Sequence, residues 1–174
     1  MNHPMEEFPH DRQGALVNLA FLVALAIVMP VAFMGLMGTD LMVFAALIMM
    51  VSALILVLGI SPLLTAHSLS GNELILRQGW YFRARIPLDN ISSVRRLESG
   101  PRRTGVFFRV LRASMFVTTR RHDLLELELK EPQRFPWALN KRAGRVIFDT
   151  SDNRAFLRSL EGKGITPSSP DRWS

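Results

Sequence analysis

The residue types that usually perform acid–base chemistry are few in this chain and are poorly arranged for it. Of the four histidines, only His67 and His122 lie beyond residue 10, and a structural role is expected for His67 in a predicted strand. His122 precedes Asp123, but neighbouring side chains of a strand point to opposite faces, so a His–carboxylate dyad is not expected. Glu126 and Glu128 alternate with leucines, a pattern typical of a solvent-facing edge. No nucleophile elbow, phosphate-binding glycine loop or metal-ligand spacing occurs, so we expect no enzyme, metal or cofactor.

The basic residues are the one functional signal. The candidate contact residues, in and around predicted loops and turns, are Arg95, Arg96, Arg102, Arg103, Arg120 and Arg121. Guanidinium groups bind carboxylates and phosphates, so these side chains predict contact with a protein partner or with anionic lipid headgroups. The alternative is that the basic excess serves only solubility and membrane orientation. Nucleic acid is not an expected ligand, because neither a basic recognition helix nor an aromatic platform is predicted.

Two long apolar segments, 15–38 and 41–64, separate this basic region from the N-terminus. Each would form a helix of about 36 Å, against a hydrocarbon thickness of about 30 Å in a bilayer. The few residues between them suffice only for a tight turn. The pattern therefore predicts a transmembrane helical hairpin over 14–64. Since neither segment contains an ionisable side chain, we expect an anchor or an assembly surface and not a conduction path.

Charge near the segment ends predicts the orientation. Residues 1–65 hold one basic and four acidic side chains, whereas residues 66–174 hold 20 basic and 11 acidic ones. The turn between the segments has no Lys or Arg, so the positive-inside rule places both termini in the cytoplasm, at the inner (cytoplasmic) membrane. A cleaved signal peptide is the competing interpretation, because residues 24–26 (ALA) resemble a cleavage site. The acidic leading segment and the continuing apolar run argue against it.

Beyond residue 64 the apolar period changes to two, which predicts strands. We predict strands at 65–69, 73–78, 81–86, 91–98, 107–111, 115–119, 125–130 and 145–149. A helix capped by residues 150–152 is predicted to end near Leu160. Residues 1–13 are expected to form a flexible cytoplasmic lead, 65–162 a folded domain, and 163–174 a flexible tail. The predicted fold is an α+β membrane protein whose small antiparallel barrel is capped by the C-terminal helix.

Two stretches of this domain resemble a known family. Residues 67–79 read HSLSGNELILRQG, and residues 86–94 read IPLDNISSV. With the strand-plus-helix ending, they resemble prokaryotic pleckstrin-homology-like (PH-like) domains, which often follow a pair of membrane spans. The resemblance implies a seven-stranded barrel with a capping helix, and little about activity. Phosphoinositide-binding members carry basic residues in the first loop, but residues 70–72 have no charge, so specific inositol-phosphate recognition is not expected.

Together these observations predict a membrane-anchored PH-like interaction module. It would act as a non-catalytic scaffold or accessory protein that contacts a protein partner or the anionic membrane face. One alternative is a subunit of a larger membrane complex, or a homo-oligomer, in which the hairpin makes the specific contacts. The small residues Ala20 and Ala24 have the spacing that lets another helix approach closely. A membrane-surface enzyme is the third hypothesis.

Overall fold

The computed structural model describes residues 6–10, 12–37, 41–138 and 140–167, and it shows an α+β chain. The helices are α1 (Arg12–Met37), α2 (Leu41–Leu54), which continues through a π-helical turn (Ile55–Ile60) and a 3-10 turn (Ser61–Leu64), and α3 (Asn153–Glu161). The strands are β1 (Glu6–Pro9), β2 (Ala66–Ser70), β3 (Glu73–Gln78), β4 (Phe82–Pro87), β5 (Ile91–Ser99), β6 (Gly105–Arg109), β7 (Ser114–Thr118), β8 (His122–Phe135) and β9 (Lys141–Phe148).

The two predicted apolar helices are present. Arg12–Gly35 and Leu41–Leu64 each have 24 residues, with mean hydropathies of 2.6 and 3.0, so both are long and apolar enough to cross a membrane. In the 18-residue apolar window of each helix, only 6% of the first and none of the second is buried inside the protein. The buried residues of the second stretch are at its end, at Gly59, Ser61 and Pro62. The apolar side chains of the two windows therefore face outward. The predicted turn at 38–40 lies outside the described residues.

The apolar helices touch each other close to the domain. The side-chain amide of Asn18 donates a hydrogen bond to the carbonyl of Leu58, at 3.2 Å. The helices are close at Gly59, where a Cβ would lie 2.8 Å from Cδ1 of Leu19 and would require that side chain to shift. The contact fixes where the two helices enter the domain.

The described strands form two sheets and not the predicted closed barrel. The strand orders are β1-β2-β3-β4 and β5-β8-β9-β7-β6. Neighbours are antiparallel except for β7 and β9, which run parallel because β9 lies between β8 and β7. The barrel prediction is wrong because Pro87 ends β4 and the 3-10 turn Leu88–Asn90 then carries the chain to the second sheet. Pro87 is the last residue of the β3–β4 ladder, opposite Glu73, and the two sheets that meet beyond it share a core.

Both sheets contribute alternate residues to that core. Leu74 and Leu76 of β3 are fully buried, as are Val146 and Phe148 of β9. α3 lies over one side of the core and buries Phe156. The predicted C-terminal helix is thus confirmed, and its capping residue is Asp152, whose carboxylate accepts from the N–H groups of the first helical turn.

Order extends beyond the predicted domain limits at both ends. The segment expected to be a flexible lead contains β1, which pairs antiparallel with β2 and places the ring of Phe8 at 5.0 Å from that of Phe156. A four-residue strand with a single buried aromatic has no detectable period, so the pattern did not reveal it. After α3, Ile165 packs on the core and Pro167 forms a bridge with Val94. The rest of the expected tail, 168–174, lies outside the described residues.

Candidate functional site

Two of the predicted basic segments lie side by side, next to the start of α1. We call residues 100–104 and 119–121 the basal loops. Their arginines are Arg102, Arg103, Arg120 and Arg121. The N–H of Gly100 donates to the carbonyl of Arg121 at 2.7 Å, which joins the loops. A Cβ on Gly14 would lie 2.0 Å from the Thr119 carbonyl oxygen, so α1 is in direct contact with the second loop.

A groove of about 590 Å³ separates the basal loops from the first turns of α1. Val17 and Phe21 contribute an apolar wall, and Arg120 and Arg121 line the same groove from the loop side. A cationic rim beside an apolar wall is chemically suited to an amphipathic anion. An anionic lipid is one such molecule, because its headgroup carries the charge and its chains are apolar.

Arg96 and Arg120 are held by an internal acidic partner. Arg120 Nη2 donates to the Asp123 carboxylate at 2.9 Å and to the Thr150 carbonyl at 2.9 Å, and Arg96 Nε pairs with the same carboxylate. Partial burial opposes ionisation of Asp123, yet the hydrogen bond from Arg96 and the charge of Arg120 keep its pKa below the ordinary value. These two arginines therefore brace the β7–β8 turn.

Arg95 is also paired, within the second sheet and not in a loop. Its Nε and Nη2 donate to Oε2 of Glu126 at 2.7 and 2.6 Å. Glu126 is only 5% exposed, so the prediction that it lies on a solvent-facing edge is wrong. The reason is that β8 is an inner strand, and the neighbouring β5 and β9 cover the carboxylate with arginine side chains. Glu128 is exposed, as the alternation predicts.

The six predicted contact residues thus fall into two groups. Arg95, Arg96 and Arg120 each have an ion pair. Arg102, Arg103 and Arg121 are exposed, and none of them forms an ion pair within the part of the chain that the structure describes. Only these last three are available to an external anion without first giving up an internal partner.

A second basic surface, which the sequence did not indicate, lies on the face of the five-stranded sheet that points away from the main core. It is a groove of about 280 Å³, here called the sheet groove. Its arginines are Arg95, Arg109, Arg112 and Arg145, and Glu126 is its carboxylate. Strand pairing builds it: the cross-strand neighbours Phe107, Phe116 and Ile147 form an apolar row, and Arg109, Ser114 and Arg145 form the adjacent row. The period-two pattern of β6 and β9 was the only sequence signal for this groove. It does not reveal that β7 pairs with β9, which is what brings the arginines together.

A third group of chemistry-bearing residues is buried beside β1. The rings of His10 and His67 lie 4.3 Å apart, and His67 Nδ1 accepts a hydrogen bond from the Arg77 N–H at 3.1 Å. Asp149 is fully buried and accepts from both the N–H and the hydroxyl of Thr119, each at 2.6 Å. The structural role expected for His67 agrees with this packing, and no substrate reaches groups so deeply buried.

Burial governs the ionisation of this group. It lowers the pKa of His67 well below the usual 6.5, and the nearby His10 adds to the shift. Burial also lowers the pKa of His10, although the charge of Asp149 opposes the shift. For Asp149 burial raises the pKa, against the hydrogen bonds from Thr119. Neutral histidines are therefore part of the folded core.

Of these three groups, only the basal loops and the sheet groove combine charge with access to solvent. Both offer guanidinium groups next to apolar surface, which is chemistry suited to holding an anion. Comparisons of the chain with protein-family models, with curated proteins and with solved structures found no match.

Proposed function

We propose that this chain is a membrane-anchored, non-catalytic interaction module. Its two apolar helices would cross the cytoplasmic membrane as a hairpin, and its PH-like domain would lie against the cytoplasmic face. The unburied apolar side chains of both helices support insertion, because a pair of helices this apolar is stabilised by lipid and not by water. Arg77, Arg83 and Arg85 near the second helix, with no basic residue in the connecting turn, support the orientation.

Only part of the expected PH-like fold supports the proposal. Two packed sheets followed by a helix that fills one side of the core are compatible with a distant member of that group. The open sheets and the parallel β7–β9 pair depart from the expected barrel. We therefore base the function on the surface chemistry and not on the fold.

The observation that carries the proposal is the position of the basal loops. Arg121 is exposed and lines the groove beside the first turns of α1, which is where that helix would enter the bilayer. Arg102 and Arg103 are exposed directly before Thr104, which lines the same groove. A basic side chain near an anionic membrane surface contributes about 1 kcal/mol of attraction. Three such residues would hold the domain in a defined orientation against anionic headgroups, with the adjoining groove open to a lipid chain.

We expect neutralisation of Arg102, Arg103 and Arg121 with glutamine to remove most of the stabilisation by anionic lipid. The full chain in mild detergent should show a rise in its thermal unfolding midpoint when phosphatidylglycerol is added, and a smaller rise with phosphatidylcholine. The triple variant should respond to both lipids alike. A matched control replaces Arg134, Arg142 and Arg154, which are exposed elsewhere on the domain and carry the same total charge. Equal loss in the two triple variants would show that net charge alone matters.

Anchoring and orientation have a separate test, because the chain contains no cysteine. Single cysteines introduced as Thr39→Cys and Ser174→Cys can be labelled in intact cells with an impermeant maleimide. We expect Thr39→Cys to react from outside and Ser174→Cys to react only after the membrane is permeabilised. The reverse pattern, or a chain that stays monodisperse without detergent, would contradict the anchored topology.

The larger-complex alternative rests on a different feature of α1. Ala20 and Ala24 are both exposed on the outside of the helix pair, so a further helix has access to this close-packing face. Under this alternative, a membrane protein that copurifies with the chain would be retained when the basal-loop arginines are neutralised. Under the main proposal, the lipid response is lost in the same variant.

A further inference from the structure

We propose that the outer face of the five-stranded sheet docks an acidic segment of a protein partner, in which carboxylates alternate with apolar side chains. The docking surface consists of the sheet groove and the adjoining β6–β7 hairpin tip, Val110–Arg112. The groove reaches Gly100 and Pro101 of one basal loop, but Arg102, Arg103 and Arg121 do not line it. The inference therefore goes beyond the proposed membrane contact and does not require it.

The sheet groove is cationic, because its four arginines face one carboxylate. Glu126 is occupied by Arg95 at 2.6 Å, and Arg145 approaches its other oxygen only to 3.8 Å with 46% of its side chain exposed. Arg109 and Arg112 are exposed and have no ion pair among the described residues. The groove therefore carries excess positive charge in the form of guanidinium forks, which match carboxylates.

Apolar side chains lie near those arginines. Leu111 is 98% exposed and Val110 is 64% exposed, at the tip of an ordered hairpin. Phe107 and Phe116 stack with their centroids 4.6 Å apart, and Arg109 lies over the Phe116 ring at 5.5 Å from its centroid. Phe116 is itself only 6% exposed, so the accessible apolar surface is at the hairpin tip. Exposed apolar side chains next to charged ones are typical of a protein interaction surface.

The hairpin tip, although not the whole sheet groove, is distant from the proposed membrane face. β6 begins and β7 ends beside the basal loops, and both strands connect that end of the sheet to the hairpin tip. Five residues of strand span about 17 Å, so the tip lies well away from the start of α1. A small anion alone would bind the arginines but leave the exposed leucine uncovered. A segment that carries both carboxylates and apolar side chains covers both parts.

The test uses the full chain in mild detergent, immobilised and presented to a random peptide library displayed on phage. We expect the selected peptides to be enriched in Asp and Glu next to Leu or Phe. The best of them, made with a fluorescent label, should bind in anisotropy titrations with an affinity that falls as salt rises. Replacement of Arg109, Arg112 and Arg145 by glutamine should weaken binding by about tenfold or more. Leu111→Ser should weaken it by about threefold or more, since an apolar anchor is lost.

Two control variants keep the result specific. The glutamine variant of Arg134, Arg142 and Arg154 should change the affinity by less than about twofold, because those exposed arginines lie outside the groove. The variant of Arg102, Arg103 and Arg121 should also leave peptide binding intact, because none of these side chains lines the sheet groove. Failure of this inference and failure of the membrane proposal can therefore be told apart.

Several outcomes would overturn the proposal. Selected peptides without acidic enrichment would do so, as would equal weakening in the groove and control variants. If inorganic phosphate displaces the peptide completely and Leu111→Ser does not change the peptide affinity, the groove would be assigned to a small anion instead. If the groove variant and Leu111→Ser lose binding to phosphatidylglycerol vesicles and no peptide is selected, the surface belongs to the membrane. Dimerisation of the chain through this face would assign it to a second copy.

Discussion

Phe156→Ala is expected to lower the free energy of unfolding of the domain by about 3–5 kcal/mol. Phe156 is the main anchor of α3 and has no exposed surface. Its ring makes edge contacts with Phe8 at 5.0 Å and with Phe148 at 5.3 Å, so one truncation opens a cavity among β1, β9 and the helix. Denaturant unfolding of the full chain in mild detergent, followed by tryptophan fluorescence, measures the change.

Two comparisons make this prediction specific. Arg158→Ala, on the exposed side of the same helix, should cost less than about 0.5 kcal/mol. The double variant Phe8→Ala with Phe156→Ala should cost less than the sum of the single changes, because the two rings are in contact. If Phe156→Ala were no more costly than Arg158→Ala, α3 would not cap the core in solution.

The second large effect is a loss of stability on mild acidification. The pKa of His67 is well below 6.5 in the folded domain, chiefly because the ring is buried, and burial also lowers that of His10. Below about pH 6.5 the unfolded chain therefore binds protons that the folded domain does not bind. Stability is complete above that pH and decreases as the pH falls, by about 1.4 kcal/mol per pH unit for each histidine that stays neutral.

The charged groups that face His10 and His67 limit the pH range in which this loss of stability can be measured. Asp149 lies opposite His10, and Arg120 is the nearby cation. Burial raises the pKa of Asp149, so its effect on stability is opposite to that of the histidines. As the pH falls, the folded domain protonates Asp149 before the unfolded chain does, and part of the lost stability is recovered. The histidine slope should therefore be measured between about pH 8 and 5.5, the range in which histidines titrate.

A non-titrating variant isolates the contribution of His67. In His67→Asn the side-chain oxygen takes the place of Nδ1 and keeps an acceptor for the Arg77 N–H. We expect a less stable domain at pH 8 with a flatter decline towards pH 5.5, measured from unfolding curves at each pH. A slope as steep in His67→Asn as in the parent chain would place the proton uptake elsewhere.

The two exposed basic surfaces define the proposed role of the module. The basal loops lie at the end of the domain where α1 begins, and the β6–β7 tip lies at the other end of the same two strands. In the proposed arrangement one end is held by anionic headgroups and the opposite region receives a partner. Tethering in this way raises the local concentration of that partner at the membrane surface.

Local patterns were sufficient for many of the elements. The length of the apolar segments predicted both long helices, and period-two alternation located β3 at 73–78 with the bounds it has in the structure. The cap and the spacing of Phe156, Leu157 and Leu160 located α3. Each of these depends on residues close together in the chain, which is why a single sequence reveals them.

The candidate site could be predicted only in part. Arg102, Arg103 and Arg121 were identified because loops rich in arginine are visible in the sequence. The ion pair between Arg95 and Glu126 could not be read from the sequence, because the two residues are 31 positions apart and lie on different strands. Arg109, Arg112 and Arg145 were missed for the same reason, since their proximity depends on the parallel pairing of β7 with β9.

The sequence by itself determined the two apolar helices, the strands with clear alternation, the capped final helix and the basic excess of the domain. Only the tertiary structure decided that the sheets stay open, that β1 joins the domain, that His10 meets His67, and which arginines remain unpaired. The physical reason is that helix and strand formation follow the order of neighbouring side chains. Burial and ion pairing instead depend on which distant strands pack together, and that choice is made by the shared core.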